Sequence, residues 1–363
     1  MENLIVFTNY SHTIPFVLGL FGKENLEYLS EFDENAFRES KYQIFYHKNL
    51  NSKIYFFNDE IDFLNQPDEF FNKFNIKLIF VDCFGKNIKF INDKLNTISN
   101  HKKCFTWHYG EVFAKNVLDL IKDNNYDFIM SASKRPELEN DNNFYYEALS
   151  TFRYYRYYIG YYYLEDLIKN IELPKYDVNK SKIFSYTRIG KNSSWRNDII
   201  NSINGLSDMM ESKNSANDAY DLLYPKYKHF EAIHDYLYCN FNIVFETIDY
   251  RNNSEYFITE KTYKALFFGK PILLVAAPNM LNYLKNKGFY LINFDFMPNI
   301  DNSNDVVKSI DNFTKWINST SDIDIENRYN SMLETSIKNR KLLLDYLNDY
   351  SESEQIFKKL LNI

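Results

Sequence analysis

The sequence predicts an α/β fold in two domains, on three observations. Short apolar, β-branched runs alternate with amphipathic runs along most of the chain, the pattern of strands interleaved with helices. The 363 residues are enough for two domains of ordinary size. A polar, proline-containing stretch, Leu173–Lys182, separates one set of alternating runs from another and reads as a linker. With 45% hydrophobic residues, core formation is not limiting for either domain.

The first domain is expected over residues 1–172. Its strands read as Leu4–Thr8, Lys53–Phe57, Lys77–Val81, Lys103–Trp107 and Tyr126–Ala132, each a short run rich in β-branched or aromatic residues. Phe113–Lys122 has helical spacing. Phe152–Ile168 reads as one aromatic-rich helix with Gly160 as its weak point. The second domain is expected over 182–345, with Ile183–Thr187 as its first strand and the polar Ser207–Asp218 as a loop or helix end. From Asn327 to Ile363 the pattern is helical, and residues 346–363 form a terminal helix able to cross back to the first domain.

Within the second domain, Phe241–Phe289 is the most informative stretch. Asn242–Thr247 reads as a buried strand, helical periodicity runs from Thr259 to Gly269, and Pro271–Ala276 reads as a second strand. Pro278 then opens a helix that Gly288 closes. A helix starting just past a strand offers free N–H groups and the positive end of its dipole, which suits a phosphate. The polar cluster Thr259-Glu260-Lys261 stands at that start.

The phrase IVFETI…YFITEKTYKALFFGKPILL resembles the donor-binding motif of the family 10 glycosyltransferases, the α1,3/1,4-fucosyltransferases, which reads roughly FEN…YVTEK…G.IP. The likeness is good over Phe241–Phe289 and loose elsewhere. Thr247 stands where that family has Asn, and the loop from Glu246 to Thr259 is longer. The resemblance implies GT-B architecture, with two Rossmann-like domains facing a cleft. It implies an inverting glycosyl transfer, with GDP-fucose or another nucleotide sugar as donor and a glycan hydroxyl as acceptor. No cofactor is required by that chemistry, no metal site is expected, and divalent-cation stimulation stays open. Asp322-Ile323-Asp324, the one Asp-X-Asp weighed as a metal motif, lies in a late polar stretch before the terminal helices.

The donor-side candidates are Arg196, Glu246, Tyr256, Thr259, Glu260 and Lys261. Cationic side chains are needed where a diphosphate leaves without a metal, and a guanidinium fork suits bidentate phosphate contact. Lys261 is the first candidate for that role. Arg196 carries over from the resemblance as the second, with Arg188 and Lys191 weaker. Their ordinary alternatives are a solvated helix lysine and a surface ion pair. Glu260 has an i,i+4 pair with Lys264 as its plain explanation and hydrogen bonding to sugar or ribose hydroxyls as its functional one. Glu246 ends a buried strand, where a bare carboxylate is costly, so it needs either a ligand or a structural partner. Tyr256 either packs on base or sugar or belongs to the core.

On the acceptor side Glu111 is the candidate base, following a strand and Gly110 in a layout similar to that of bacterial members of the family. His108 is the alternative, since histidine titrates near neutral pH. Trp107 and Tyr109 stand beside them for acceptor contact. The alternatives are a glutamate favouring a helix start and a structural histidine.

A net charge of −7 argues against bulk nucleic-acid binding. Three dispersed cysteines without a CxxC pair favour a reducing compartment. The N-terminal run is broken by polar residues and Pro15, so no membrane span is expected and a cytoplasmic location is expected. Since animal and plant members of the family it resembles are membrane-anchored, the resemblance then implies a bacterial or viral source, in the bacterial cytosol or a virus-infected host cytoplasm. Two further readings remain open: another nucleotide sugar used on a protein or nucleobase acceptor, and a non-catalytic protein of the same fold.

Overall fold

Eight strands build the first sheet of the computed structural model: β1 (Glu2–Thr8), β2 (Leu26–Tyr28), β3 (Gln43–His47), β4 (Ser52–Phe57), β5 (Ile76–Asp82), β6 (Lys102–Trp107), β7 (Phe128–Ser131) and β8 (Phe144–Tyr146). The structure describes residues 2–8, 19–29, 43–57, 63–73, 76–82, 88–97, 102–107, 126–131, 144–146, 152–153, 156, 165–170, 173, 175–179, 183–187, 194–206, 210–214, 239–246, 251, 258–292 and 305–362. The strand order is β2-β3-β4-β1-β5-β6-β7-β8. From β4 to β8 every neighbouring pair is parallel, and β2 and β3 add an antiparallel margin. The turn between β3 and β4 places Asn51 at φ 46, a left-handed conformation that asparagine tolerates better than most residues. Two helices of this part are α1 (Asp68–Lys73) and α2 (Ile88–Thr97). Phe57, Phe63, Phe70 and Phe71 meet edge to face at centroid distances of 5.5–6.1 Å, so part of the aromatic content is accounted for as core.

The second sheet has four strands, all parallel, in the order β10-β9-β11-β12: β9 (Ile183–Thr187), β10 (Met210–Asn214), β11 (Phe241–Phe245) and β12 (Ile272–Val275). Every residue of β11 and β12 is buried, as expected of strands covered on both faces. Among the described residues six helices accompany them: α3 (Glu165–Asn170), α4 (Ser194–Ser202), α5 (Glu260–Phe268), α6 (Met280–Asn286), α7 (Val306–Ser319) and α8 (Asp322–Asn348). Along α7 the buried residues Val306, Ser309, Ile310, Phe313, Thr314 and Ile317 recur at helical spacing and form one face. Phe241 packs edge to face on Phe313, Trp316 and Tyr329, joining β11, α7 and α8. Asn339 on α8 exchanges two hydrogen bonds with the backbone of Tyr290.

The chain divides into two compact units, Met1–Tyr158 with Asn348–Ile363, and Ile159–Leu347. The α/β class expected from the sequence is the one adopted. The last helix, α9 (Ser351–Leu361), is part of the first unit. Phe357 packs on Phe21 at 5.0 Å, Asn49 donates to the Glu354 carboxylate at 2.6 Å, and Lys102 Nζ caps the Leu360 carbonyl at 2.5 Å. Arg153 donates to the Asp349 carbonyl and to Ser353 Oγ at the other end of the helix.

Two differences from the sequence reading stand out. Ser207–Asp218 was expected as loop or helix end, yet it contains β10. This is an edge strand whose polar Met210-Glu211-Ser212-Lys213-Asn214 sequence suits a margin. The β2 and β3 strands, β8 and the helix α7 were not anticipated. The expected helix Phe113–Lys122 lies outside the described residues, and Phe152–Ile168 largely so; α3 covers the end of the latter and continues to Asn170. In the stretch read as a linker, Tyr176 joins the core of the second unit, and Asp177 is held by Asn240 through two hydrogen bonds.

Candidate functional site

In an open parallel sheet, ligands bind where the strand order changes direction, outside the carboxyl ends of the strands. Here the chain runs from β9 to β10 on one side and then to β11 and β12 on the other, so the switch point lies between β9 and β11. Arg196 of α4, which follows β9, and the start of α5, which follows β11, both bond to Glu246 at that strand end.

The α5 helix is specified locally. Thr259 is its N-cap in extended conformation, and the Thr259 hydroxyl accepts the Lys261 N–H at 3.3 Å. The helix ends because Gly269 adopts φ 64, ψ 35, the left-handed C-cap conformation, and Pro271 follows shortly after. Its length is almost wholly buried, which anchors its first turn.

Glu246, directly after β11, is 1% exposed, and its backbone N–H donates to Val275 of β12 at 2.9 Å. Its carboxylate accepts the Thr259 N–H at 3.1 Å, the Thr259 hydroxyl at 2.6 Å and the Thr262 hydroxyl. Its carbonyl accepts Nε and Nη2 of Arg196 at 3.2 and 2.5 Å. Of the two roles the sequence left open for Glu246, the geometry supplies internal partners. Arg196 is 3% exposed and sits on the strand end, with its guanidinium also 5.4 Å from the Trp195 ring.

Lys261 Nζ pairs with Glu260 Oε1 at 2.9 Å and contacts Thr259 Oγ1 at 3.3 Å. Burial pushes the Glu260 carboxyl up, but the charges of Lys261 and Lys264 and the hydrogen bond from Lys261 outweigh it, bringing the pKa down to about 2. Glu260 therefore stays ionised at neutral pH and, with about a quarter of its side chain exposed, remains an acceptor. Lys264, fully buried on the same helix, is lowered to about 8 by burial, with Glu260 opposing and Lys261 reinforcing that fall. Lys261 and Lys264 thus both act on the Glu260 carboxylate, while Arg196 lies on the Glu246 carbonyl.

Of the other candidates, Trp107 ends β6, where its backbone pairs with Ser131 of β7. His108, Tyr109, Glu111 and Tyr256 lie outside the described residues, as do Arg188, Lys191 and Thr247. Asp322 and Asp324 occupy the first turn of α8, and no group of residues able to hold a metal occurs among the described residues. Thr262 was missed by the sequence reading. Its position three residues after Thr259, on the same helix face, was the available signal. No helix among the described residues is long and apolar enough to cross a membrane.

No protein-family model and no curated protein matches this chain. Among solved structures it is similar to sucrose-phosphate synthase from Thermosynechococcus elongatus, with 10% identity over 100% of both chains and a TM-score of 0.49. A glycosyltransferase from Rickettsia africae gives 12% identity over 99% of this chain and 98% of that one, at a TM-score of 0.45. UDP-GlcNAc 2-epimerase from Neisseria meningitidis, bound to UDP-GlcNAc, gives 9% identity over 100% of both chains, at 0.43. At such identities and TM-scores these likenesses assign neither activity nor substrate to this chain.

Proposed function

We propose that this chain is an inverting glycosyltransferase of GT-B type that takes a sugar from a nucleotide diphosphate donor. The observation that carries the reading is that Arg196 and the head of α5, which bears Glu260 and Lys261, are both fastened to Glu246 at the end of β11. The resemblance of Phe241–Phe289 to the family 10 motif supports it and favours GDP-fucose as donor and a glycan as acceptor. Lys261 is the direct cation for the diphosphate. Arg196 adds charge at the same strand end, and the Glu260 carboxylate accepts hydrogen bonds from ribose or sugar hydroxyls. Thr259 holds the helix start, and Tyr256 packs against base or sugar.

The acceptor oxygen attacks the anomeric carbon as the carbon–oxygen bond to the diphosphate breaks. The acceptor proton passes to Glu111, assigned as base on resemblance, with His108 as the alternative and Trp107 and Tyr109 contacting the acceptor. The nucleoside diphosphate leaves with the negative charge that Lys261 meets. One displacement without a covalent intermediate inverts the anomeric configuration.

Thermal melting against GDP, UDP, ADP, CMP and GDP-fucose tests the reading. A ligand at a hundred times its dissociation constant stabilises the native state by about 2.7 kcal/mol. A rise with GDP and GDP-fucose is expected. A rise with UDP alone replaces the donor and keeps the transfer. No rise with any nucleotide overturns the reading in favour of a non-catalytic protein.

A further inference from the structure

We propose that Glu246 is a positioning residue, an internal anion that fixes the head of α5 and so presents Lys261 and Glu260 to the donor. The inference rests on the functional reading above for what Lys261 and Glu260 meet, but the brace itself is a matter of geometry.

A carboxylate has about four lone-pair sites, and at least three of those on Glu246 are filled by described residues. Thr259 fills two through its N–H and hydroxyl, and Thr262 fills one through its hydroxyl. The residue is 1% exposed, so a ligand would have to displace these donors to reach it. Its negative charge lies at the positive end of the α5 dipole, where a carboxylate is favourable. The Glu246 backbone is fixed independently, by Val275 through its N–H and by Arg196 through its carbonyl. Strand end and helix start are thereby joined across the intervening loop by one side chain.

The brace also changes how a phosphate can be bound. The Thr259 N–H is on Glu246 and the Lys261 N–H is on the Thr259 hydroxyl, so two N–H groups of the helix start are already engaged. A diphosphate arriving here is met by side-chain cations rather than by those two groups. Lys261 contacts the Thr259 hydroxyl as well as Glu260, so the angle of the first turn sets where its ammonium stands. Loss of the Glu246 charge should misplace that ammonium without removing it.

The test compares wild type with Glu246→Gln, Thr259→Val and Thr259→Ser. It reads hydrogen exchange of the peptide spanning 258–263 and affinity for GDP and UDP as probes. Glu246→Gln and Thr259→Val should speed exchange at the head of α5 and weaken nucleoside diphosphate binding about tenfold or more, a loss of roughly 1.4 kcal/mol. Thr259→Ser, which keeps the hydroxyl, should restore both. Weakened binding with unchanged exchange would mean that Glu246 touches the ligand, and wild-type behaviour of Glu246→Gln in both readouts would remove any role; either overturns the inference. If Glu246→Gln does not fold, Thr262→Val removes a single donor and is read in the same way. If wild type binds no nucleotide, the functional reading fails, while the exchange comparison still decides whether Glu246 sets the helix start.

Discussion

His47 makes the first unit acid-sensitive, and the effect is large enough to isolate with one substitution. The ring is fully buried at the end of β3, with the Phe21 ring 5.5 Å away and edge-on. Its Nδ1 accepts the Leu50 N–H at 3.2 Å. A second proton must therefore enter at Nδ1, where it would turn an acceptor toward the Leu50 donor. Burial dominates the resulting pKa, lowering it to about 4 from 6.5. Glu354 on α9 and the backbone carbonyls of Phe21 and His47 pull it up, and Lys358 on α9 pushes it down. The folded chain keeps this histidine neutral while the unfolded chain protonates near 6.5, so the unfolded state binds more protons between the two values. Stability then falls as pH drops from 6.5 toward 4 and levels off below. By linkage the loss is about 2–3 kcal/mol between pH 7 and 4.5. Because two units need not unfold together, the suitable assay is native-state hydrogen exchange of peptides from β3 and α9, corrected for intrinsic rates. Wild type should lose protection in both peptides between pH 7 and 4.5, and His47→Gln should lose less by about 2–3 kcal/mol. Equal losses in the two proteins, or an imidazole resonance of His47 titrating near 6.5, would refute the reasoning.

Four further outcomes follow from the second unit. Lys261→Ala should weaken nucleoside diphosphate binding by about tenfold or more in calorimetry while the variant stays folded at about 25 °C; unfolding instead would make Lys261 structural. Gly269→Ala places a Cβ at φ 64 and 3.1 Å from Leu173 Cδ1, so denaturant titration should show a loss of about 1–2 kcal/mol or more. Tyr329→Phe removes the hydroxyl that accepts from buried Lys270 at 3.1 Å, and should cost about 1–3 kcal/mol by the same titration. Phe313→Ala empties the site where α7 meets Phe241, with an expected loss of about 3–5 kcal/mol.

Much of the second unit was legible because its signals are local. Thr259 before an apolar helical run, Gly269 and Pro271 after it, and two largely apolar strands around it specify β11, α5 and β12 by propensity and capping. Gly288 likewise closes α6 near its expected end, at φ 91. The polar strand β10 was not legible, because an edge strand takes its conformation from the neighbour it pairs with. The candidate site was legible as residue types and not as contacts. Glu260 and Lys261 adjoin in sequence, so their pairing was within reach of local reasoning. The engagement of Glu246 by Thr259 and Thr262, and of its carbonyl by Arg196, depends on how the chain returns across the loop and on the order of β9 and β11.

Sequence by itself determined the α/β class and the local starts and stops around α5, since strand and helix periodicity and capping act over a few residues. Tertiary structure decided the strand order, the switch point, the braced state of Glu246 and the burial of His47. Each of these depends on groups brought together from distant parts of the chain, and burial, charge pairing and hydrogen-bond satisfaction exist only once those groups meet.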